Sequence, residues 1–328
     1  MILDVLDGGL LTTVQDRGRP EWTHLGVPVS GPADPWSHAV ANLLVGNDPG
    51  AAALELTVVG PTLAARDEGL IALAGADLGA RIRGGRRLVP GRSHRIGGGE
   101  TIEIPGHHGD GPGDGARATL AIAGGIDVPL VLGSRATCLA GAFGGLDGRA
   151  LRTGDAIGTL PAAASGPELA WPEEPDARRR PGEPWVLRVA PGIAPGLVEL
   201  VDGTWTVSGS GDRVGVRLEG RALPTGIGGE ALTHGVPWGA IQVPADGRPI
   251  LLSVDHQTTG GYRVPAVVIS ADLAILGRLL PGDEILLLPV DDDTAHLALR
   301  ERRDRLLHGA ALLREAAGWD HLAGSAGG

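Results

Sequence analysis

The sequence predicts a mainly β protein of two barrel-like halves with a few helices, and three observations carry that prediction. The 55 glycines and 25 prolines lie between short apolar runs in a 328-residue chain that is 42% hydrophobic. Without a Gly-x-y period or a Ser/Gln bias, that pattern describes many short strands joined by turns, not a disordered chain. Apolar runs of strand length recur from the first residues to Val290. Finally, the halves end alike: Leu151–Ile157 and Leu280–Ile285 each carry a Gly-Asp turn entering an apolar strand, after Gly-Gly pairs at 124–125 and 260–261. This weak internal symmetry suits two related barrel-like units, and the length accommodates two cores.

Residues 2–14 predict a strand, a Gly-Gly turn and a second strand, leading into the polar loop Gln15-Asp16-Arg17-Gly18-Arg19. The clearest helix follows Ser30-Gly31-Pro32. Asp34 is a capping residue, Pro35 suits the first helical position, Ala39, Val40, Leu43 and Leu44 form an apolar face, and Gly46 stands at a C-terminal glycine position. Asn42 and Asn47 beside that face either close a cap or serve a site. Leu54–Val59 is a strand with Glu55 inside it; a central strand requires that carboxylate to be paired or ligand-facing, because an isolated buried carboxylate is costly. Short strands follow at 70–75, 80–83, 100–104 and 118–123. His107–Gly115 resembles a ligand set at first sight, but its adjacent histidines diverge and its glycines suggest a loop tip. Arg135, in the small-residue loop 132–137, suits bidentate capture of a carboxylate or phosphate, or a structural salt bridge.

Residues 161–184 are rich in Ala, Pro, Glu and Arg without periodicity and are expected to be a linker. The domains expected are thus 1–160, a linker at 161–184, 185–290, and a C-terminal helix and tail at 291–328. Strand 185–190 opens the second half, 207–218 predicts a hairpin around Gly211-Asp212-Arg213, and 294–315 has helical periodicity with an arginine-rich face. The chain's centre of organisation is Gly239–Val290. There, strands at 250–254, 264–269 and 285–290 flank Asp255-His256-Gln257-Thr258-Thr259-Gly260-Gly261-Tyr262. Hydrogen-bonding side chains followed by two glycines at a strand end make either a binding loop or a polar hairpin turn.

Composition excludes several functions. A net charge of −11 argues against nucleic acid or anionic membrane as a partner. No apolar run approaches membrane length and the start lacks a secretory pattern, so a cytoplasmic protein is expected. The single cysteine, Cys138, excludes an internal disulfide and a multi-cysteine metal site. The sequence contains no lysine, so the chain holds no P-loop lysine, Schiff base or lysine-borne cofactor of its own.

Nine motifs in order carry a resemblance: TTVQDRGR (12–19), GVPVSGPAD (26–34), ANLLVGN (41–47), LELTVVGP (54–61), AGGIDVP (123–129), GSRAT (133–137), DRVGVRL (212–218), GAIQVP (239–244) and DHQTTGGY (255–262). Over residues 3–290 the chain resembles the biotin-dependent carboxyltransferase-like family, which includes the C subunit of 5-oxoprolinase, the antagonist of the sporulation kinase inhibitor, and part of urea carboxylase. It departs from the family pattern at Ala33, Ala136, Val214, His256 and Arg263. His256, where the family usually has arginine, replaces a fixed charge with a titratable group.

The resemblance implies two cyclophilin-like β-barrel domains and a paired chain of similar fold. It further implies ATP-dependent opening of 5-oxo-L-proline to L-glutamate, with a B-type 5-oxoprolinase partner and a lactam-hydrolysing A-type partner. ATP would be handled with those partners, and biotin would not be carried on this chain. The alternatives are a carboxyltransferase-like component for another amide of the urea type, with a separate biotin carrier, and a non-catalytic regulatory binder. Within the leading reading, Gln15, Arg17, Ser30, Asp34, Arg135, Arg213 and Gln242 are expected to converge with 255–262 on one cleft. Arg135 or Arg213 would hold the substrate carboxylate. Asp255, Gln257 and Thr258 would orient the amide or a water, Gly260 and Gly261 would stabilise developing negative charge, and Tyr262 would contact substrate. No metal is expected in this site.

Overall fold

A computed structural model describes residues 1–106, 115–161, 166–172, 183–224 and 226–319. They form two compact units, one drawn from Met1–Arg19, Ser30–Asp176 and Asp304–Gly328, the other from Pro20–Val29 and Ala177–Arg303.

The first unit contains β1 (Ile2–Asp7), β2 (Leu11–Gln15), α1 (Pro35–Leu44), β3 (Ala53–Thr57), β4 (Thr62–Ala65), β5 (Gly69–Gly75), β6 (Arg81–Ile82), β7 (Arg92–Ile96), β8 (Thr101–Glu103), β9 (Arg117–Ile122) and β10 (Ala156–Gly158). They make two five-stranded sheets, ordered β10-β1-β4-β8-β6 and β2-β3-β9-β5-β7. Alternate residues of both sheets, among them Leu3, Val5, Leu63 and Ile102 from one and Val14, Leu54, Leu56, Ile71 and Leu120 from the other, meet in a single apolar core. The expected β1–turn–β2 segment changes sheet instead of pairing with itself. β1 pairs with β4 and β10, whereas β2 pairs with β3. Glycine is required at this crossing: a Cβ on Gly8 would lie 2.2 Å from the Leu151 carbonyl oxygen, and Gly9 has φ +71°.

The second sheet has a polar half on its other face. Thr13 of β2 lies opposite Glu55 of β3, which lies opposite Thr119 of β9. Gln15 and Arg117 share this face by the two-residue period. α1 packs over β5 and β9 on the same side. β3 is therefore a central strand. Glu55 meets the requirement its position imposes by accepting the Ala33 N–H at 2.6 Å and lying 3.7 Å from the Arg117 guanidinium.

The second unit contains β11 (Trp185–Pro191), α2 (Leu197–Val201), β12 (Thr204–Val207), β13 (Gly215–Glu219), β14 (Glu230–Gly235), β15 (Ala240–Val243), β16 (Ile250–Leu252), β17 (Thr259–Val268), α3 (Leu273–Leu276) and β18 (Glu284–Pro289). The order β11-β18-β12-β13-β16-β15-β17 closes through the β11–β17 pairing into a seven-stranded barrel, with β14 added on β17. Trp185, Leu187, Trp205, Leu218, Ile241, Leu251, Ala266 and Ile285 fill its core. The predicted hairpin is present as β12–β13, with Val207 opposite Leu218. α4 (Asp292–Ala317) follows, and its residues are shared between the two units.

The internal symmetry is visible bond by bond. Asp155 accepts the Arg152 N–H, and its carbonyl accepts the Val5 N–H; Asp283 likewise accepts the Leu280 N–H, and its carbonyl accepts the Val207 N–H. Gly154 and Gly282 donate back to the Val5 and Val207 carbonyls. The two Gly-Asp turns are one device used twice. Within 161–184, residues 166–172 lie along β7: the Ser93 N–H donates to the Leu169 carbonyl at 2.9 Å, and Arg92 bridges Ala170. Residues 162–165 and 173–182, like most of the 107–115 loop, lie outside the described residues. β4, β7 and β14 escape the sequence pattern because they are short, polar or exposed on one side.

Candidate functional site

Each unit carries its own cluster of predicted residues. In the first, Gln15 ends β2 fully buried. Its Nε2 donates to Thr13 Oγ1 at 2.9 Å and to the Thr137 carbonyl at 3.3 Å, while its Oε1 accepts the Gly31 N–H at 3.1 Å. Asp16 gathers the 132–137 loop by accepting from the Ser134 hydroxyl and from the Arg135 N–H. Gln15 thus ties Gly31 to Thr137, while Asp16, inside the predicted polar loop, holds Ser134 and Arg135. Arg135 Nε donates to the Val128 carbonyl at 2.9 Å, and its side chain is 25% exposed. Ser30 is 2% exposed, its φ of +59° lies in the left-handed region, and its hydroxyl has no hydrogen-bond partner among the described residues. A non-glycine residue held in that region stores strain of the kind found at functional sites.

Asp34 caps α1, accepting the Ser37 N–H at 3.0 Å and the Ser37 hydroxyl at 2.6 Å. The structure shows an ordinary capping role for it. The Arg17 side chain forms an exposed pair with Asp48 at 2.8 Å. Asn42 and Asn47 close the end of α1. Asn47 Nδ2 donates to Asn42 Oδ1 and to the Ile122 carbonyl, both at 2.9 Å, and the Gly124 N–H donates to Asn47 Oδ1 at 2.8 Å. Of the two readings open for these asparagines, the structure shows the structural one.

His38 escapes sequence reasoning because it lies inside the helix with no motif around it. It is buried, with Nε2 2.9 Å from the Ala51 carbonyl, and its neighbours include the carboxylates of Glu55, Asp16 and Asp34. Burial is the largest influence and pushes its pKa below 6.5, although these acids and the Ala51 bond oppose it.

In the second unit, Arg213 and Asp255 form an ion pair. Nε to Oδ2 is 2.7 Å, Nη2 to Oδ1 is 3.3 Å, and both side chains are 4% exposed. The Asp255 N–H also donates to the Arg213 carbonyl at 2.8 Å. The sequence offers Arg213 as a substrate-carboxylate ligand and Asp255 as a catalytic group, whereas the structure engages each with the other. Gln242, on β15, is buried, and its Oε1 accepts from Gln257 Nε2 at 3.2 Å. Thr258 closes the segment, its carbonyl accepting the Val236 N–H at 3.1 Å. The polar loop is shorter than its sequence suggests: β17 starts at Thr259, so Gly260, Gly261 and Tyr262 lie in a strand beside β14, with Gly260 opposite His234 and Tyr262 opposite Glu230. Tyr262 is exposed.

His256 is buried, with Nδ1 2.6 Å from the Gln257 carbonyl. Desolvation lowers its pKa below 6.5 against the raising effects of that bond and of Asp255. His38 and His256 therefore titrate lower when folded than when unfolded. Their contribution to stability is complete above about pH 6.5 and is lost as pH falls from there toward the lower folded values. The expected result is an unfolding midpoint that falls between about pH 7 and 5, and a shallower fall in His256→Gln. Superimposable pH profiles for the variant and the parent would contradict this assignment.

Among the described residues, no group of three or more His, Cys, Asp or Glu could hold a metal ion, and no helix is long and apolar enough to cross a membrane. The two clusters are built from carboxamides, hydroxyls and, at Arg135, one part-exposed guanidinium.

Residues 25–289 match the family described as carboxyltransferase domain, subdomain A and B. The C subunit of 5-oxoprolinase from Escherichia coli (strain K12) is 36% identical over 302 residues, covering 87% of this chain and 90% of that protein. Urea amidolyase of Lachancea kluyveri is 34% identical over 327 residues, covering 92% of this chain and 17% of that protein. The solved structure of TTHA0988 is similar with a TM-score of 0.78 at 37% identity, over 87% of this chain and 55% of that one. The Kluyveromyces lactis urea carboxylase structure is similar with a TM-score of 0.83 at 29% identity, over 94% of this chain and 29% of that one. The chain thus spans only part of the two solved relatives, but nearly all of the E. coli protein. With the family match covering most of its length, and the sheet order and motif residues described above, the chain belongs to the carboxyltransferase subdomain A and B family.

Proposed function

We propose that this chain is the C subunit of a 5-oxoprolinase, working with B-type and A-type partner chains to convert 5-oxo-L-proline to L-glutamate with consumption of ATP. One observation carries the reading: the similarity to the E. coli 5-oxoprolinase component runs over 90% of that protein, whereas the urea amidolyase match runs over 17% of its own relative. In this reading both units are of the cyclophilin-like barrel type that the family implies, and the complex is cytoplasmic.

The chemistry suits the residues. An unstrained amide is a poor electrophile, and ATP, handled with the partner chains, supplies the activation. This chain contributes binding and orientation. In the first unit Arg135, part-exposed with its Nε bonded to the Val128 carbonyl, offers its remaining N–H groups to a carboxylate. Gln257 and Thr258 orient the amide, and the Arg213–Asp255 pair positions the segment that carries them. Gln15, Ser30 and Asp34 supply the polar cluster of the first unit. With no lysine in the chain, no biotin is attached to it.

The chain alone is expected to release no glutamate from 5-oxoproline and ATP, and to do so once combined with its partners. Turnover by the isolated chain, or none by the reconstituted complex, would refute this reading. The match to urea amidolyase supports a second reading, a component of an amide carboxyltransferase. Carboxylation of urea in the presence of a biotinylated carrier, without glutamate release from 5-oxoproline, would favour it.

A further inference from the structure

Of the three groups that the sequence offers for chemistry in the second unit, none is a free base. Asp255 alone can take a proton, and both of its oxygens bond the Arg213 guanidinium in a buried pair. Gln257 and Thr258 hold no basic atom. Taking the proton from an amide N–H needs one. The topology brings an imidazole here from outside every sequence motif. His234 on β14 lies directly opposite Gly260 on β17, and two residues on the Val236 N–H bonds the Thr258 carbonyl at 3.1 Å. Opposite residues share a face, so His234, Val236, Thr258 and Gly260 lie along one side of this ladder. A Cβ on Gly260 would meet Val236 Cγ1 at 3.3 Å and Gln242 Nε2 at 2.3 Å. The Gln242 carboxamide, to which Gln257 is bonded, therefore adjoins the same face.

The strand is shaped around the imidazole. Glu230 and His234 are four residues apart, yet their partners Tyr262 and Gly260 are two apart, so β14 bulges just before His234. Bulges beside active sites re-aim a side chain. This one supplies the Leu232 carbonyl, 2.9 Å from His234 Nδ1. A carbonyl only accepts, so Nδ1 carries the hydrogen and the lone pair of the neutral ring lies on Nε2. That nitrogen has no partner among the described residues and reaches the surface on a part-exposed side chain. His256, nearby in sequence to Gln257, is buried instead. Glu230, Tyr262 and Arg263 are the other titratable or charged side chains of the two strands, and none of them bonds the ring.

We infer that His234 is the general base that takes the substrate's amide N–H proton; this rests on the 5-oxoprolinase reading above. The lactam N–H donates to Nε2, and the proton passes to it. The electron pair of the N–H bond becomes the second bond of a C=N group, and the carbonyl π pair moves onto the oxygen. That oxygen bonds the terminal phosphorus of ATP, whose bond to ADP breaks as ADP leaves with the pair. The imidazolium then returns its proton to solvent. Without the base, the oxygen would attack while its own amide nitrogen turned cationic.

The test follows 5-oxoproline turnover against pH in the assembled complex, with the parent chain, His234→Ala and His234→Gln. The parent rate is expected to fall on the acid side, where an imidazole base is protonated. His234→Ala should lower kcat by about 100-fold or more, change KM little, lose the acid limb and regain activity with added imidazole. His234→Gln should be as slow. Both variants should unfold in urea near the parent midpoint, because a part-exposed side chain on an edge strand carries little stability. A variant as fast as the parent, or a slow one that keeps the acid limb and is not rescued by imidazole, would overturn the inference. A second readout needs no turnover. Titrated onto the purified chain, 2-pyrrolidinone should shift the imidazole proton resonance that His234→Gln lacks, and should shift it more than γ-butyrolactone, which has no N–H. Failure of the complex to turn over 5-oxoproline would sink the 5-oxoprolinase reading. The titration would still decide on His234, since a resonance unmoved by the lactam overturns its role.

Discussion

Asp255→Ala is expected to destabilise the second unit by about 3–5 kcal/mol, because it leaves the Arg213 guanidinium charged and buried without its carboxylate. The two side chains are 4% exposed, and the pair makes two hydrogen bonds that span 42 residues of sequence. A buried ion pair adds little net stability over well-packed apolar residues, but breaking one side of it is costly. The expectation therefore includes a rescue: Arg213→Met combined with Asp255→Leu should recover most of the loss. Urea denaturation of the three proteins, followed by tryptophan fluorescence, measures both effects, since Trp185 and Trp205 lie in this barrel's core. An Asp255→Ala protein as stable as the parent would refute the structural role. The consequence for function is direct. A loss of activity in Asp255→Ala cannot be assigned to chemistry until stability has been measured, and the same holds for Gln257, whose Nε2 bonds the buried Gln242 carboxamide.

Glu55→Ala is expected to cost about 3 kcal/mol or more in the first unit. It removes the acceptor of the Ala33 N–H, at 2.6 Å, and the carboxylate 3.7 Å from Arg117, on a strand buried between β2 and β9. The acid also lies among the charges that act on His38. Glu55→Gln keeps an acceptor for Ala33 and removes only the charge, so it should lose about 1–2 kcal/mol. The unfolding midpoints should rank parent, Gln variant, Ala variant. If Ala and Gln variants are equally stable, the bond to Ala33 contributes nothing, and the account of Glu55 as the brace between β3 and the start of α1 fails.

Much of this arrangement is legible in the sequence for local reasons. α1 announces itself by Asp34, Pro35 and Gly46, and each residue acts as its type dictates: Asp34 caps through Ser37, Pro35 opens the helix and Gly46 takes φ +75°. The β12–β13 hairpin and the paired Gly-Asp turns are equally local. Glu55 states its own condition, a partner in a central strand, from its composition alone. The site is harder to read. Gln15, Ser30 and Arg135 stand out as polar groups in glycine- and proline-bounded loops, but the bonds from Gln15 and Asp16 that hold the 134–137 loop span more than a hundred positions. His38 has no flanking motif, and a histidine inside an apolar helix has no periodic signal of its own.

Residue types and their short-range spacing determined the β class, the turns, the helix cap, the absence of lysine chemistry and the motifs that carry family membership. These depend on φ preferences, capping bonds and side-chain inventory, which act within a few residues. Tertiary structure decided the strand order that closes one barrel, the passage of the Gly8-Gly9 segment from one sheet to another, and the start of β17 within the glycine-rich polar segment. It also decided that Arg213 belongs to Asp255, and that Gln242 faces Gln257 with one donor to spare. Each of these depends on which distant strands meet. Burial then sets the outcome: it makes an unpaired charge or amide costly, and pairing energies between residues 42 or 15 positions apart leave no mark on the local pattern of the chain.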